Sequence, residues 1–225
     1  MARHGVSPCG PVAGVQVRLA TSITSDDYVA GKRWRDASLT RCPWHPQGGC
    51  GFARHGTYPR VKPPGTHIAR WYCPLARRTV SALPDCLASH YSGSLVELEG
   101  VVLAVEQAPS LAAAADGLRT EIELPGALRY LRRLCQAIHR ALHIIRGLFP
   151  QRFVSVPPTV QGFVAELTDG PSVLMTLREQ ASRHLANLPT PFGFNPSRSN
   201  PVRSPLCRQH RWGPDPPCAI LDALS

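Results

Sequence analysis

Between Leu95 and Phe149 the apolar residues recur three and four positions apart, the spacing that places them on one face of an α-helix. Ser94 followed by Glu97 forms an S-x-x-E capping box, which predicts a helix opening at Leu95 with Leu95, Leu98, Val102 and Val105 on its inner face. Pro109 and Ser110 break that pattern, and Ser110 can cap a short helix over LAAAADGL. A third helix is predicted from about Pro125, a residue suited to a first turn. Its seam runs through Leu128, Leu131, Cys135, Ile138, Leu142, Ile145 and Phe149. Pro157–Pro158 interrupts the chain again, and a further helical stretch is expected from Ser172 to Leu188.

Outside this region the periodicity changes. HGTYPRV and HIARWYC alternate and carry β-branched and aromatic residues, so they read as two antiparallel strands joined by a turn at KPPGT. Residues 1–40 show no sustained period and are expected to be a loosely ordered basic arm, with a short strand at Val15–Leu19. Residues 189–225 hold eight prolines and read as a mostly disordered Pro-rich tail. The predicted divisions are therefore 1–40, 41–90, 94–150, 151–188 and 189–225.

Composition sharpens the middle of this picture. Residues 41–90 are rich in Cys, His, Gly and Pro and poor in Leu and Ile, so a conventional apolar core is not expected there and another fastener is needed. Cys42, His45 and Cys50 stand close together, and Cys73 follows at the end of the second predicted strand. Zinc takes four sulfur or nitrogen ligands in a tetrahedron, commonly from tight turns. Cys42-x2-His45 suits one such turn, and Gly48–Gly49 permits the reversal that aims Cys50 at the same ion. With the hairpin delivering Cys73, the segment describes a zinc ribbon holding one ion. A usual ribbon closes with C-x2-C, yet Ala76 stands three residues after Cys73. Three readings stay open: Cys50 completes the set, His55 replaces one member, or the site is degenerate. Cys9, Cys86 and Cys135 read as lone or core thiols, while Cys207, His210 and Cys218 form half of a second knuckle. The expected fold is thus mainly α, with a small zinc-ribbon-like β-hairpin module and a helix-turn-helix-like helical middle.

The strings CPWH, GCGFARHGTYPR, RWYCP and RRTVSALPDCL, ending on Ser81, Leu83, Pro84 and Asp85, resemble the zinc-ribbon region of small bacterial proteins associated with insertion sequences and transposases. Those pair a ribbon with a helix-turn-helix. The resemblance implies a DNA-binding role in a mobile element.

Charge points the same way. The 225 residues carry 25 Lys and Arg against 15 Asp and Glu, a formal net charge of +10, which suits a polyanionic partner. The excess is concentrated at the front, where residues 1–93 hold 12 basic and 4 acidic side chains. Expected phosphate contacts are Arg54, Arg60, Lys62, Arg70, Arg77 and Arg78 around the ribbon, with Arg129, Arg132 and Arg133 on the third helix. Duplex DNA is the expected partner. The alternative use of the third helix is a homodimer through Leu128–Phe149, in which zinc would only stabilise an interaction module. Another alternative is a transposase fragment lacking its catalytic domain, since Asp85, Asp116 and Glu166 are scattered and no nucleophile or phosphate-loop motif occurs. No run of 18 apolar residues exists, so no membrane span is expected, and the N-terminus lacks an apolar core of signal-peptide length; the expected location is cytoplasmic.

Overall fold

A computed structural model describes residues 15–118, 126–167, 170 and 172–195. It corrects the expectation of a mainly α fold. The described residues form a mixed α/β fold with a four-stranded mixed sheet and seven α-helices; the helical share is 41% and strands make up 18%.

The sheet contains β1 (Val15–Leu19), β2 (Ala53–Pro59), β3 (His67–Cys73) and β4 (Arg78–Pro84), in the order β1-β4-β3-β2. The two predicted strands are β2 and β3, antiparallel, with a bulge between Arg54 and Gly56. β4 pairs antiparallel with β3, and β1 then adds to β4 in parallel. The strand expected at Val15–Leu19 is thus present, as an edge strand of the sheet. The supposed loose arm also supplies the short helix α1 (Ser25–Ala30), capped by Thr24, and the buried rings of Tyr28 and Trp34. Residues 1–14 lie outside the described residues.

The first three helical expectations hold, while the stretch expected over Ser172–Leu188 is α-helical only to Gln180, with a 3-10 turn at Ser182–His184. α2 (Leu95–Gln107) opens on the predicted capping box: Glu97 N–H donates to Ser94 Oγ at 3.1 Å, and Ser94 N–H donates to Glu97 Oε2 at 2.6 Å. Ser110 caps α3 (Leu111–Gly117) through the Ala113 amide. α4 (Ala127–Leu148) carries the predicted seam, and α5 (Pro150–Phe153), α6 (Val160–Glu166) and α7 (Val173–Gln180) follow. Among the described residues no helix is long and apolar enough to cross a membrane.

Packing shows why the segment 41–90 does not depend on an ion alone. Ile68, Ala69, Trp71, Ala82, Leu83, Cys86 and Leu87 belong to the same hydrophobic cluster as Leu98, Val102, Ile138, Leu142 and Leu177. The helices supply the apolar surface that the segment lacks. Within the α4 seam, Leu131, Cys135, Ile138, Leu142 and Ile145 are buried in this chain, and Leu128 is 48% exposed. Most of the seam is thus covered by the chain's own packing.

Two carboxylates seven residues apart on α2 tie the helices together. Glu99 accepts the amides of Val173 and Leu174 at 3.1 and 2.8 Å, at the start of α7. Glu106 accepts those of Val160 and Gln161 at 2.9 and 2.8 Å, at the start of α6, and bonds His139 at 2.7 Å. Each carboxylate meets unpaired amides at the positive end of a helix dipole. These bonds hold the Glu106 carboxyl below its ordinary value, against the opposing effect of burial.

The start of the supposed disordered tail is also structured. Pro189–Gly193 is buried, and Ser89 Oγ donates to the carbonyls of Pro191 and Gly193. Composition misled here, because the backbone of this Pro-rich turn is satisfied by turn hydrogen bonds within it, by the Ser89 amide and by side chains rather than by a regular helix or strand. Residues 196–225, with Cys207, His210 and Cys218, lie outside the described residues.

Candidate metal centre

The outer end of the sheet is where the ligands meet. Cys73 closes β3, and the loop from Cys42 to Cys50 folds over it. The ligand atoms of Cys42, His45, Cys50 and Cys73 all lie within 4.8 Å of one another. His45 Nδ1 is 3.6 Å from Cys42 Sγ and 3.3 Å from Cys73 Sγ. A tetrahedral ion bound at about 2.3 Å to sulfur and about 2.0 Å to nitrogen separates its ligand atoms by about 3.5–3.8 Å. The foursome therefore fits one metal ion, and Cys50 completes it. His55 instead lies on β2, its ring 5.6 Å from that of Tyr72.

Local turns explain how the ligands are aimed. The His45 amide donates to the Cys42 carbonyl at 3.3 Å and the Gly48 amide to the His45 carbonyl at 3.0 Å, so two successive turns lead back toward Cys50. Gly48 and Gly49 take φ of +86° and +74°, a region that side-chain-bearing residues rarely enter. At the other knuckle the Ala76 amide donates to Cys73 Sγ at 3.3 Å, and the Arg77 amide to the Pro74 carbonyl at 3.2 Å. The Cys73-x2-Ala76 turn thus keeps a knuckle's backbone while lacking its second ligand side chain.

The three sulfurs are buried together, with Trp44, Phe52 and Ala76 packed around them. Phe52 also touches the main core and joins the two clusters. Burial opposes the Cys42 thiolate, but bonds from His45 and from the Trp44 and His45 amides outweigh it and bring this thiol down to about 7. Burial pushes the Cys50 thiol up, with the neighbouring sulfurs adding to the effect. A dication placed among them offsets both the mutual repulsion and the desolvation, which is how such sites couple metal binding to local folding. Soft sulfur with one imidazole suits zinc chemically.

The basic side chains divide into two groups. Arg54 Nη1 donates to the carbonyls of Arg35 and Ala37 at 2.7 and 3.2 Å, and Nη2 to that of Trp34; its guanidinium also lies over the Trp71 ring. Arg60 donates to the carbonyls of Ala88, at 3.0 Å, and Tyr91. Burial lowers the Arg60 pKa, and nearby tyrosines only partly oppose this. These two fasten the sheet to its neighbours. Arg70 lies over the Tyr58 ring and donates to Thr79 Oγ1 at 3.1 Å. Lys62 is exposed in the β2–β3 turn, at the far end of β3 from the ligands.

Arg77 and Arg78 are exposed beside Cys73, with Arg78 over the Trp44 ring, and Arg41, which the sequence reading passed over, is exposed beside Cys42. Arg129, Arg132 and Arg133 are exposed on α4. The largest omission is Arg178, fully buried on α7, whose place on an amphipathic helix offered no sign of its role. No family model, curated protein or solved structure matches this chain.

Proposed function

We propose that this chain is a non-catalytic duplex-DNA-binding protein, in the mobile-element setting that the resemblance over Cys42–Leu87 implies. One observation carries the reading. Residues 37–84 contain no Asp or Glu, and at the metal-ligand end of that stretch Arg41, Arg77 and Arg78 are exposed. Zinc, when bound, holds the loop and the β3–β4 turn together and so fixes these guanidinium groups relative to one another; fixed cations contact phosphates with less loss of side-chain freedom. Arg129 and Arg133 support the reading from α4, since like charges one turn apart disfavour a helix unless a counter-charge is supplied.

The test is binding of a labelled duplex by fluorescence anisotropy across a salt series. Replacing Arg77 and Arg78 by Ala should shallow the log–log salt slope by roughly 2, and replacing Arg129, Arg132 and Arg133 by roughly 3. A slope near zero for the unaltered protein would overturn the proposal.

A further inference from the structure

One sheet face places aromatic rings and a cation side by side. Residues directly opposite in a ladder share a face, so the register puts Tyr72 with Thr79, and Arg70 with Ser81 and, one strand further, Gln16. The bulge on β2 turns His55 onto the same face, with its ring 5.6 Å from Tyr72 at 40°. Beside this pair the Arg70 guanidinium lies 5.5 Å above the Tyr58 ring and is steadied by Thr79. The opposite face is occupied: Trp71 is buried there beneath Arg54. By contrast His55 is exposed, and Tyr72, Arg70 and Tyr58 are half-buried.

Resting on the nucleic-acid reading above, we infer that this face binds a single-stranded DNA segment, with unpaired bases stacking on the His55–Tyr72 rings and Arg70 meeting the backbone. The choice of a single strand follows from the geometry of stacking. In a duplex both faces of each base are already covered by neighbours, whereas an unpaired base offers its whole π-face to an aromatic platform. The absence of acidic residues from 37–84 makes the surroundings favourable to phosphates.

The experiment compares the full chain binding three labelled probes by anisotropy: oligo-dT of roughly ten nucleotides, an abasic strand of the same length, and a duplex. Oligo-dT should bind about tenfold tighter than the abasic strand. The pair His55→Ala and Tyr72→Leu should bring oligo-dT down to the abasic level while leaving duplex binding unchanged. His55→Ala alone, at an exposed position where folding is not at stake, should weaken oligo-dT about fivefold. Equal affinity for oligo-dT and the abasic strand, or oligo-dT binding unaffected by His55→Ala, overturns this inference and leaves the duplex reading standing. Failure to bind any of the three probes overturns both.

Discussion

Arg178 Nη1 donates to the carbonyl of Leu87 at 2.6 Å, joining residues 91 positions apart in the chain. The same guanidinium reaches Asp85 O at 3.0 Å, Pro191 O at 2.9 Å and Phe192 O at 2.6 and 2.9 Å. A planar fork of five N–H donors can satisfy carbonyls on several sides at once. It thereby pins the end of the sheet, α7 and the Pro-rich turn to one point. Burial lowers its pKa to about 10, with Asp85 opposing the shift, so it remains charged at neutral pH.

Arg178→Met should destabilise the fold by about 3–5 kcal/mol, because it strands several buried carbonyls. Arg178→Lys should do nearly as badly, since a compact ammonium cannot span the same acceptors. Urea unfolding midpoints measure both. A lysine variant within about 0.5 kcal/mol of the parent would show that charge, not the fork, matters.

For the metal centre, purified protein should contain one zinc per chain, abolished by Cys50→Ser and retained by His55→Ala and Ala76→Ser. Chelation should raise amide exchange across 42–52 and 73–78 while leaving the middle of α4 protected, because the sheet's inward side chains belong to the shared core. Global unfolding on chelation would contradict this division. Metal analysis and hydrogen exchange read the two outcomes separately.

The depressed Glu106 carboxyl makes a pH prediction whose sign is fixed. A group whose folded-state pKa lies below its ordinary value of 4.5 contributes stability that is present above that value and lost as pH falls through the folded one. The parent should therefore lose stability on acidification below about pH 4.5 more steeply than Glu106→Gln, which should be less stable at neutral pH and flatter with acid. The deficit of the variant at neutral pH should be comparable to the loss of a helix cap, because the same kind of amide is left unpaired. Thermal midpoints between about pH 3 and 7 measure it, and parallel curves for the two proteins would show Glu106 to be idle.

The α4 seam gives a contrast between two leucines. Leu131 is fully buried, so Leu131→Asp should destabilise by more than about 3 kcal/mol, whereas Leu128→Asp, at a position 48% exposed, should change stability by under about 1 kcal/mol. Thermal unfolding decides it. Comparable effects at both positions would mean that Leu128 is covered in solution by another surface.

Local signals were legible where neighbours in sequence form a distinctive pattern, although the equally local Thr24 and Thr159 caps of α1 and α6 were passed over. The Ser94–Glu97 box, the Ser110 cap, the 3.6-residue seam of α4 and the Cys42-x2-His45 turn are all interactions within a few residues, so the sequence alone was enough to place them. Tertiary structure decided what pairs across long distances. It added β1 to β4, selected Cys50 as the fourth ligand candidate, and set Arg54 and Arg60 against backbone carbonyls. It also placed Arg178 among four buried carbonyl-bearing residues. An arginine's type and spacing are the same whether it faces phosphate or backbone oxygen; only the folded chain brings the acceptor, and with it the role.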